Sequence, residues 1–187
     1  MLKTKFARSR RLVLFDALRS SVGGTHQAFS RSRGEAPIEK LPAIMSTEAE
    51  SEIRHLIDEW RAALCARDLD RLMVHYAPEV RFFDAVPPYQ HRGAAAYRAT
   101  WEAMFPYLPK RLGSELREVN ITVSGDLAMM HGLHRLVDEE WKESATCGWV
   151  RVTVGYQRQQ GVWRVIHEHV SVPFDPQTAQ AAFIREV

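Results

Sequence analysis

Hydrophobic residues recur with a helical period soon after Thr47. The apolar stripe consists of Ile53, Leu56, Ile57, Trp60, Ala63 and Leu64. This spacing predicts an amphipathic helix whose apolar side lies on a core. Ser46 or Thr47 can cap this helix, and acidic residues follow in what would be its first turn.

Shorter elements follow this helix. Asp68 can cap a second helix that runs through Leu72, Met73 and Tyr76 and ends at Pro78. Residues 80–84 alternate as a strand, which Pro87 and Pro88 end. From Gly93 to about Leu108 the pattern is helical again, with one face that carries Tyr97, Trp101, Met104 and Phe105.

Strand-like segments fill the second half of the chain. We predict strands over residues 116–123, 128–137, 146–157 and 162–175. Turns are predicted at Ser124–Asp126 and at Gln160–Gly161. Helices followed by a long antiparallel meander indicate an α+β fold.

Residues 1–44 have a different composition. They are rich in Arg and Ser and carry a net charge of +6, whereas the rest of the chain carries −4. We expect this basic extension to be largely disordered and the domain to span residues 45–187. Three explanations of the extension stay open: a start codon placed upstream of the true first residue Met45, an organelle targeting segment, or a tail that binds an acidic surface.

Composition excludes several classes of protein. The mildly acidic domain has no nucleic-acid footprint, and no apolar run approaches the ~18 residues of a membrane span. The two cysteines, Cys65 and Cys147, are far apart, which fits a reducing, cytoplasmic location. Neither a Walker motif nor a dinucleotide glycine loop is present, so no nucleotide cofactor is expected. A nucleophilic triad also lacks any supporting motif.

The strand over 162–175 carries the most informative side chains. Strict alternation places Trp163, Val165, His167, His169 and Ser171 on one face, and Glu168 on the other. Histidine exchanges protons near neutral pH, so His167 and His169 are candidate acid–base groups. They could also be satisfied core or rim side chains, or share a metal with a third ligand from His131, His134 or Asp84.

Asp84 is the candidate carboxylate. It follows apolar strand positions that include Phe82, and a carboxyl group in an apolar site has a raised pKa, which suits a general base. Alternatively, Asp84 caps the turn before Pro87. For the strand 128–137, the sequence does not decide which of its two faces points inward.

Other polar and aromatic positions are candidate substrate contacts. Trp149 and Arg151 share a face of their strand, and Arg151 could anchor an anionic group or, as we favour, pair with Asp84 or Glu168. Tyr97 and Trp101 could clamp a ligand, although packing of a helix face is their commoner role. Phe82 and Ser171 complete the predicted binding residues.

Four stretches together resemble the SnoaL-like members of the NTF2-like superfamily. They are Trp60 with Arg67-Asp-Leu-Asp70, Pro78-Glu-Val-Arg-Phe-Phe-Asp84, Pro88-Tyr-Gln-His-Arg-Gly93, and Trp163 to Asp175. The resemblance implies a cone-shaped NTF2-like fold, in which a strongly curved antiparallel sheet encloses N-terminal helices, and a homodimer. It also implies cofactor-free acid–base chemistry in an apolar pocket, similar to that of ketosteroid isomerases, polyketide cyclases and dehydratases.

Our leading hypothesis is an isomerase, cyclase or dehydratase that acts on a small apolar carbonyl compound. Asp84 would be the general base, His169 with His167 the acid, and Arg151 an orienting group. The tyrosine–acid pair of the ketosteroid isomerases has no clear counterpart in the sequence, because Trp149 and Arg151 stand at the strand positions where we would seek it. The alternative is a non-catalytic dimeric module for ligand binding or association, and a metal-dependent site is a third hypothesis.

Overall fold

The computed structural model describes residues 43–140, 143–144 and 148–187. Almost all of the N-terminal extension lies outside the described residues, so the expectations for it stay predictions. The helices are α1 (Ala43–Ala66), α2 (Leu69–Met73) and α3 (Ala94–Met104), and α3 continues into a 3₁₀ turn at Phe105–Tyr107. The strands are β1 (Tyr76–Phe83), β2 (His91–Arg92), β3 (Leu112–Ser124), β4 (Leu127–Asp138), β5 (Glu143–Ser144), β6 (Val150–Gln159), β7 (Val162–Ser171), β8 (Phe174–Asp175) and β9 (Gln180–Ala181).

The two N-terminal helices follow the predicted apolar pattern. Ile53, Ala63 and Leu64 of α1 are fully buried, which confirms the stripe. The predicted start was wrong, because α1 begins at Ala43, upstream of Ser46 and Thr47. Asp68 does cap α2, since its Oδ1 accepts a hydrogen bond of 3.1 Å from the Arg71 amide.

The region that joins α2 to α3 differs from the prediction at one point. Tyr76 lies in β1 rather than at the end of α2, because the helix stops after a single turn. Gly93 precedes α3 with φ of 85°, and a Cβ there would meet the carbonyl oxygen of Pro78 at 3.0 Å. Glycine is therefore the residue that allows α3 to start against β1.

The main sheet has the strand order β2-β1-β7-β6-β4-β3, with the short β5 beside β4. Its pairs are antiparallel except for β1 and β7, which run parallel. The first strand in the chain, β1, is therefore a direct neighbour of the last long strand, β7. Among the described residues β2 and β3 do not pair, so the curved sheet does not close into a barrel. The α+β architecture with a curved sheet and N-terminal helices is confirmed.

One face of the sheet, the inner face, packs against the helices. It carries the buried side chains of Met130, Val152, Val154, Tyr156 and Trp163. The other, the outer face, carries exposed Met129 and His169. In the described part of the chain, no helix has the length and apolar character needed to span a membrane.

The predicted last strand is interrupted near its end. β7 stops at Ser171, and Phe174–Asp175 instead forms a small hairpin with Gln180–Ala181. Beyond this hairpin, Ile184 forms a backbone bridge with Trp149. The C-terminal segment therefore returns to the start of β6.

Candidate functional site

A cavity of about 200 Å³ lies between α1, α3 and the inner face of the sheet. Its walls are largely aromatic and aliphatic. The apolar part of the lining comes from Trp60, Phe82, Trp101, Met104, Val150 and Val170, and the polar part includes Asp84, Tyr97, Thr100, His134 and Glu168. An apolar pocket with a few polar groups is the usual form of a small-molecule site.

A second, smaller cavity of about 50 Å³ adjoins the large one. Trp60, His134 and Glu168 line both, so these three side chains form the boundary between them. The small cavity is otherwise lined mainly by apolar side chains of α1 and the sheet, together with Tyr76 and Tyr156. Groups at the boundary are therefore exposed to two chambers at once.

Glu168 on β7 is the buried carboxyl group of this site. It is 5% exposed and accepts hydrogen bonds from the Tyr76 hydroxyl (2.7 Å to Oε2) and the Tyr97 hydroxyl (3.3 Å to Oε1). Burial raises the pKa of Glu168 to about 7, the two tyrosine hydroxyls oppose this rise, and the negative charge of Asp84 adds to it. The carboxyl group can therefore exchange a proton near neutral pH.

Tyr76 and Tyr97 hold this carboxyl group from two elements. Tyr76 lies on β1 beside β7, and Tyr97 lies on the first turn of α3; their rings are 5.1 Å apart. Burial, followed by the charge of Glu168, raises the pKa of each phenol well above its ordinary value. Both tyrosines therefore stay protonated and act as hydrogen-bond donors to Glu168.

Asp84 lies just past the end of β1 and lines the large cavity. Its Oδ1 accepts a hydrogen bond of 3.3 Å from the Val86 amide, and its Oδ2 is 3.8 Å from Nε2 of His91. The structure therefore agrees with both interpretations of Asp84: the side chain caps the turn before Pro87, and it also presents a carboxyl group to the cavity.

His134 lies on β4, and its side chain lines both cavities. The face of β4 that carries Met130 and His134 is therefore the inner one, a choice that the sequence did not decide. The Nε2 of His134 is 2.9 Å from the Ser114 hydroxyl oxygen, and its ring meets the Trp60 ring edge-on at 5.6 Å. Burial and the nearby charge of Arg61 lower the pKa of His134 to about 4. The imidazole is therefore neutral at physiological pH.

The predicted face of His167 and His169 was wrong, because β7 contains a bulge. Gly155 of β6 pairs with His167 and Tyr156 pairs with Val165, so Ile166 has no partner. The extra residue reverses the alternation: Trp163 and Val165 point inward before the bulge, and Glu168 points inward after it.

Both histidines consequently lie on the outer face and do not line either cavity. His169 is exposed, and the Phe83 ring meets the rings of His167 and His169 edge-on at 5.0 and 5.8 Å. The Nδ1 of His167 is 2.9 Å from the carbonyl oxygen of Arg81. The structure therefore does not bring these histidines together with Asp84.

Three other candidates also lie on the outer face. Trp149 is 1% exposed and is flanked by the guanidinium groups of Arg117 and Arg135, at 5.1 and 4.7 Å from its ring. Arg151 is exposed and pairs through the backbone with Ser171, and the described ion pairs include none from Arg151 to Asp84 or Glu168. Ser171 points outward because of the bulge in β7, as His169 does, whereas Trp149 and Arg151 lie on the face opposite the buried side chains of Val152 and Val154.

The cavity thus contains Asp84, Phe82, Tyr97 and Trp101 of the predicted residues. Sequence reasoning missed Tyr76 and His91, named His134 only as a possible metal ligand, and named Glu168 only as a possible partner of Arg151. The signal for Glu168 was an acidic residue among apolar neighbours on the face opposite the histidines. Over the described ranges, no cluster of three or more His, Cys, Asp or Glu side chains has the arrangement of a metal site.

Comparisons with known proteins agree with this architecture. The family model of the SnoaL-like domain matches residues 53–175. No curated protein matches the chain. A crystal structure of an NTF2-like protein of unknown function from Pseudomonas putida KT2440 is 41% identical, covers 76% of this chain and 99% of its own, and has a TM-score of 0.69.

Two more distant structures are similar in fold alone. An NTF2-like protein with a cystatin-like fold from Novosphingobium aromaticivorans is 18% identical, covers 71% of this chain and 87% of its own, and has a TM-score of 0.57. A proposed dehydratase of the NTF2-like family from Streptomyces avermitilis is 13% identical, covers 70% of this chain and 100% of its own, and has a TM-score of 0.58.

Proposed function

This chain belongs to the SnoaL-like family within the NTF2-like superfamily, and we propose that it is a cofactor-free acid–base catalyst acting on a small, largely apolar carbonyl compound. The reaction would be an isomerisation, a cyclisation or a dehydration. These three reactions share one step, the removal of a proton from the carbon next to a carbonyl group. The family itself is consistent with either binding or catalysis.

The observation that carries the proposal is the Glu168 carboxyl group. It lies in an apolar cavity, accepts two tyrosine hydrogen bonds, and has a pKa raised to about 7 by burial. Asp84 lines the same cavity, so two carboxyl groups in different surroundings face one ligand space. Such a pair suits a division of roles between a base and an acid.

We assign Asp84 the role of general base, as the sequence predicted. Asp84 lines the large cavity and accepts a backbone hydrogen bond from Val86, whereas Glu168 is deeply buried and has the raised pKa. Glu168 in its protonated form would donate a hydrogen bond to the carbonyl oxygen, the role that was predicted from the sequence for His169. Transfer of that role follows from the bulge in β7, which turns His169 outward.

The matching test measures exchange of α-protons in deuterated water by NMR, with a panel of small unsaturated and β-hydroxy ketones. This assay detects the shared proton-transfer step without knowledge of the final product. We expect Asp84→Asn and Glu168→Gln each to lower the exchange rate by about 10²–10⁴-fold. Glu102→Gln, an exposed carboxyl replacement on α3, is the control and should leave the rate unchanged.

Two outcomes would contradict the proposal. If Asp84→Asn lowers the exchange rate less than threefold at unchanged stability, Asp84 is not the general base. Saturable binding of these ketones without any proton exchange would instead support the non-catalytic ligand-binding module.

We also propose a homodimer, which the family resemblance implied. The exposed apolar side chains of Phe83 and Met129, 37% and 48% exposed on the outer face, support a contact there. Sedimentation should give twice the mass of the chain, and a charged substitution such as Met129→Glu should shift the protein towards monomer. A monomer at micromolar concentration would contradict this part.

A further inference from the structure

His91 is a buried imidazole directly behind Asp84. It lies on β2, pairs through the backbone with Phe82, and its side chain is 10% exposed. Its Nε2 is 3.8 Å from Oδ2 of Asp84 and has no hydrogen-bond partner among the described residues. A buried ring nitrogen without a partner normally has a specific reason.

The other ring nitrogen is held by Thr100. The Thr100 hydroxyl donates its hydrogen to the carbonyl oxygen of Ala96 at 3.2 Å, and Oγ1 is 3.3 Å from Nδ1 of His91. Because a hydroxyl group has a single hydrogen, Oγ1 accepts from Nδ1 when that hydrogen is donated to Ala96. Neutral His91 therefore carries its proton on Nδ1 and presents the bare Nε2 to Asp84.

Nε2 of His91 and Oδ2 of Asp84 are then two hydrogen-bond acceptors that face each other, with space for one proton between them. When Asp84 is ionised and His91 is neutral, a carboxylate oxygen opposes a nitrogen lone pair. When Oδ2 of Asp84 is protonated, its proton points at Nε2 of His91, which can accept it. A contraction of the contact by about 1 Å would make a hydrogen bond of ordinary length.

We propose that His91 is a positioning residue that stores, at Nε2, the proton that Asp84 removes from the ligand. The inference rests on the proposed function. In the first step the ligand C–H bond breaks, its electron pair stays on the ligand as an enolate, and an O–H bond forms at Oδ2 of Asp84. In the second step this O–H bond breaks and an N–H bond forms at Nε2, which leaves an imidazolium beside a carboxylate.

The charges of the second state are favourable at this depth. The imidazolium and the carboxylate attract each other at close range in surroundings from which water is largely excluded. The side chains that face the His91 ring are Asp84, Thr100 and Phe82, whose ring lies 5.6 Å away. Among these only Asp84 is charged, so the stored proton has one acceptor to return to.

The first experiment requires no ligand. Two-dimensional NMR of the full chain with ¹⁵N-labelled histidine reports which ring nitrogen of His91 carries the proton above the histidine titration. We expect the Nδ1–H form in the wild type and in the matched control Thr100→Ser, and a shift towards Nε2–H in Thr100→Val. Nε2–H in the wild type would overturn the inference.

The second experiment uses the ketone panel. His91→Gln should lower kcat for α-proton exchange at least tenfold with KM changed less than twofold, and should alter the pH–rate profile. Thr100→Val should lower kcat in the same direction, whereas Glu102→Gln, which replaces an exposed carboxyl group on α3 outside the cavity, should stay near the wild type. His91→Asn serves as a second variant if His91→Gln does not fold.

The outcomes separate the two proposals. Exchange in the wild type that persists within threefold in His91→Gln, while Asp84→Asn abolishes it, would overturn the role of His91 alone. The absence of exchange with every ketone would overturn the proposed function and the relay together.

Discussion

The hydroxyl of Tyr76 donates a hydrogen bond of 2.7 Å to Oε2 of Glu168, although the two residues are 92 positions apart in the chain. The contact exists because β1 and β7 are parallel neighbours in the sheet. It links β1 to β7 at a carboxyl group that lines both apolar cavities. The candidate site is thus a product of the sheet topology and not of any local motif.

Removal of either tyrosine hydroxyl should make Glu168 harder to ionise. Both hydroxyls stabilise the carboxylate, so Tyr76→Phe and Tyr97→Phe should each raise the pKa of Glu168. The effect should be larger for Tyr76→Phe because its hydrogen bond is shorter, 2.7 against 3.3 Å. Isotope-edited infrared spectra of the carboxyl group measure this order, and an unchanged titration in both variants would contradict it.

Glu168 should also make stability depend on pH. Its pKa rises from 4.5 to about 7 on folding, so the folded state keeps a proton that the unfolded chain releases. The contribution is fully present below about pH 4.5 and falls as the pH rises to about 7, by about 3 kcal/mol in total. Urea unfolding across this window should show the loss in the wild type and not in Glu168→Gln. Parallel curves for the two proteins would refute the assignment.

His134 should produce the opposite dependence at acid pH. Because its pKa falls from 6.5 to about 4 on folding, it contributes stability above about pH 6.5 that is lost as the pH falls towards 4. His134→Gln, which keeps a polar side chain near Ser114, should lack this part of the acid destabilisation. The comparison is made by urea unfolding between these two pH values, and equal slopes would count against a buried neutral imidazole.

The bulge in β7 predicts which side chains reagents can reach. In a background with serine at positions 65 and 147, His169→Cys should react rapidly with a thiol reagent, because position 169 is exposed. Glu168→Cys should react at least tenfold more slowly, because that side chain is only 5% exposed and lies below the helices. Reversed rates would restore the strict alternation that the sequence suggested.

Trp149 should matter for stability and not for the site. It is 1% exposed and packs between Arg117 and Arg135 on the outer face. Trp149→Ala should lower the free energy of unfolding by about 3–5 kcal/mol. Below its melting temperature the variant should exchange ketone α-protons within twofold of the wild type. A large loss of exchange in folded protein would place Trp149 in the functional site after all.

The elements of the fold follow from local pattern, and for that reason the sequence predicts them well. The apolar stripe of α1, the cap of α2 at Asp68 and the turns at Gly125–Asp126 and Gln160–Gly161 are confirmed. Each depends on residues close together in the chain. The α+β architecture then follows from their order and from the family resemblance.

The site residues were predicted only in part, because one unpaired residue in β7 determines which later side chains of that strand face the cavity. Period-two alternation is broken at Ile166, and a single extra residue exchanges the faces of His169 and Glu168. No composition or spacing in β7 marks that position. The partners Tyr76 and His91 were missed for a related reason: pairing of β1 with β7 brings Tyr76 to Glu168, and pairing of β2 with β1 brings His91 to Asp84.

The most direct test of the account is the titration of the Glu168 carboxyl group, followed by its ¹³Cδ chemical shift and assigned with Glu168→Gln. We predict a carboxyl group that is still protonated at about pH 6 and ionises near pH 7, with a lower midpoint in Asp84→Asn because a neighbouring negative charge is removed. A carboxyl group already ionised at about pH 5 would contradict the account, because Glu168 could then not act as an acid at neutral pH.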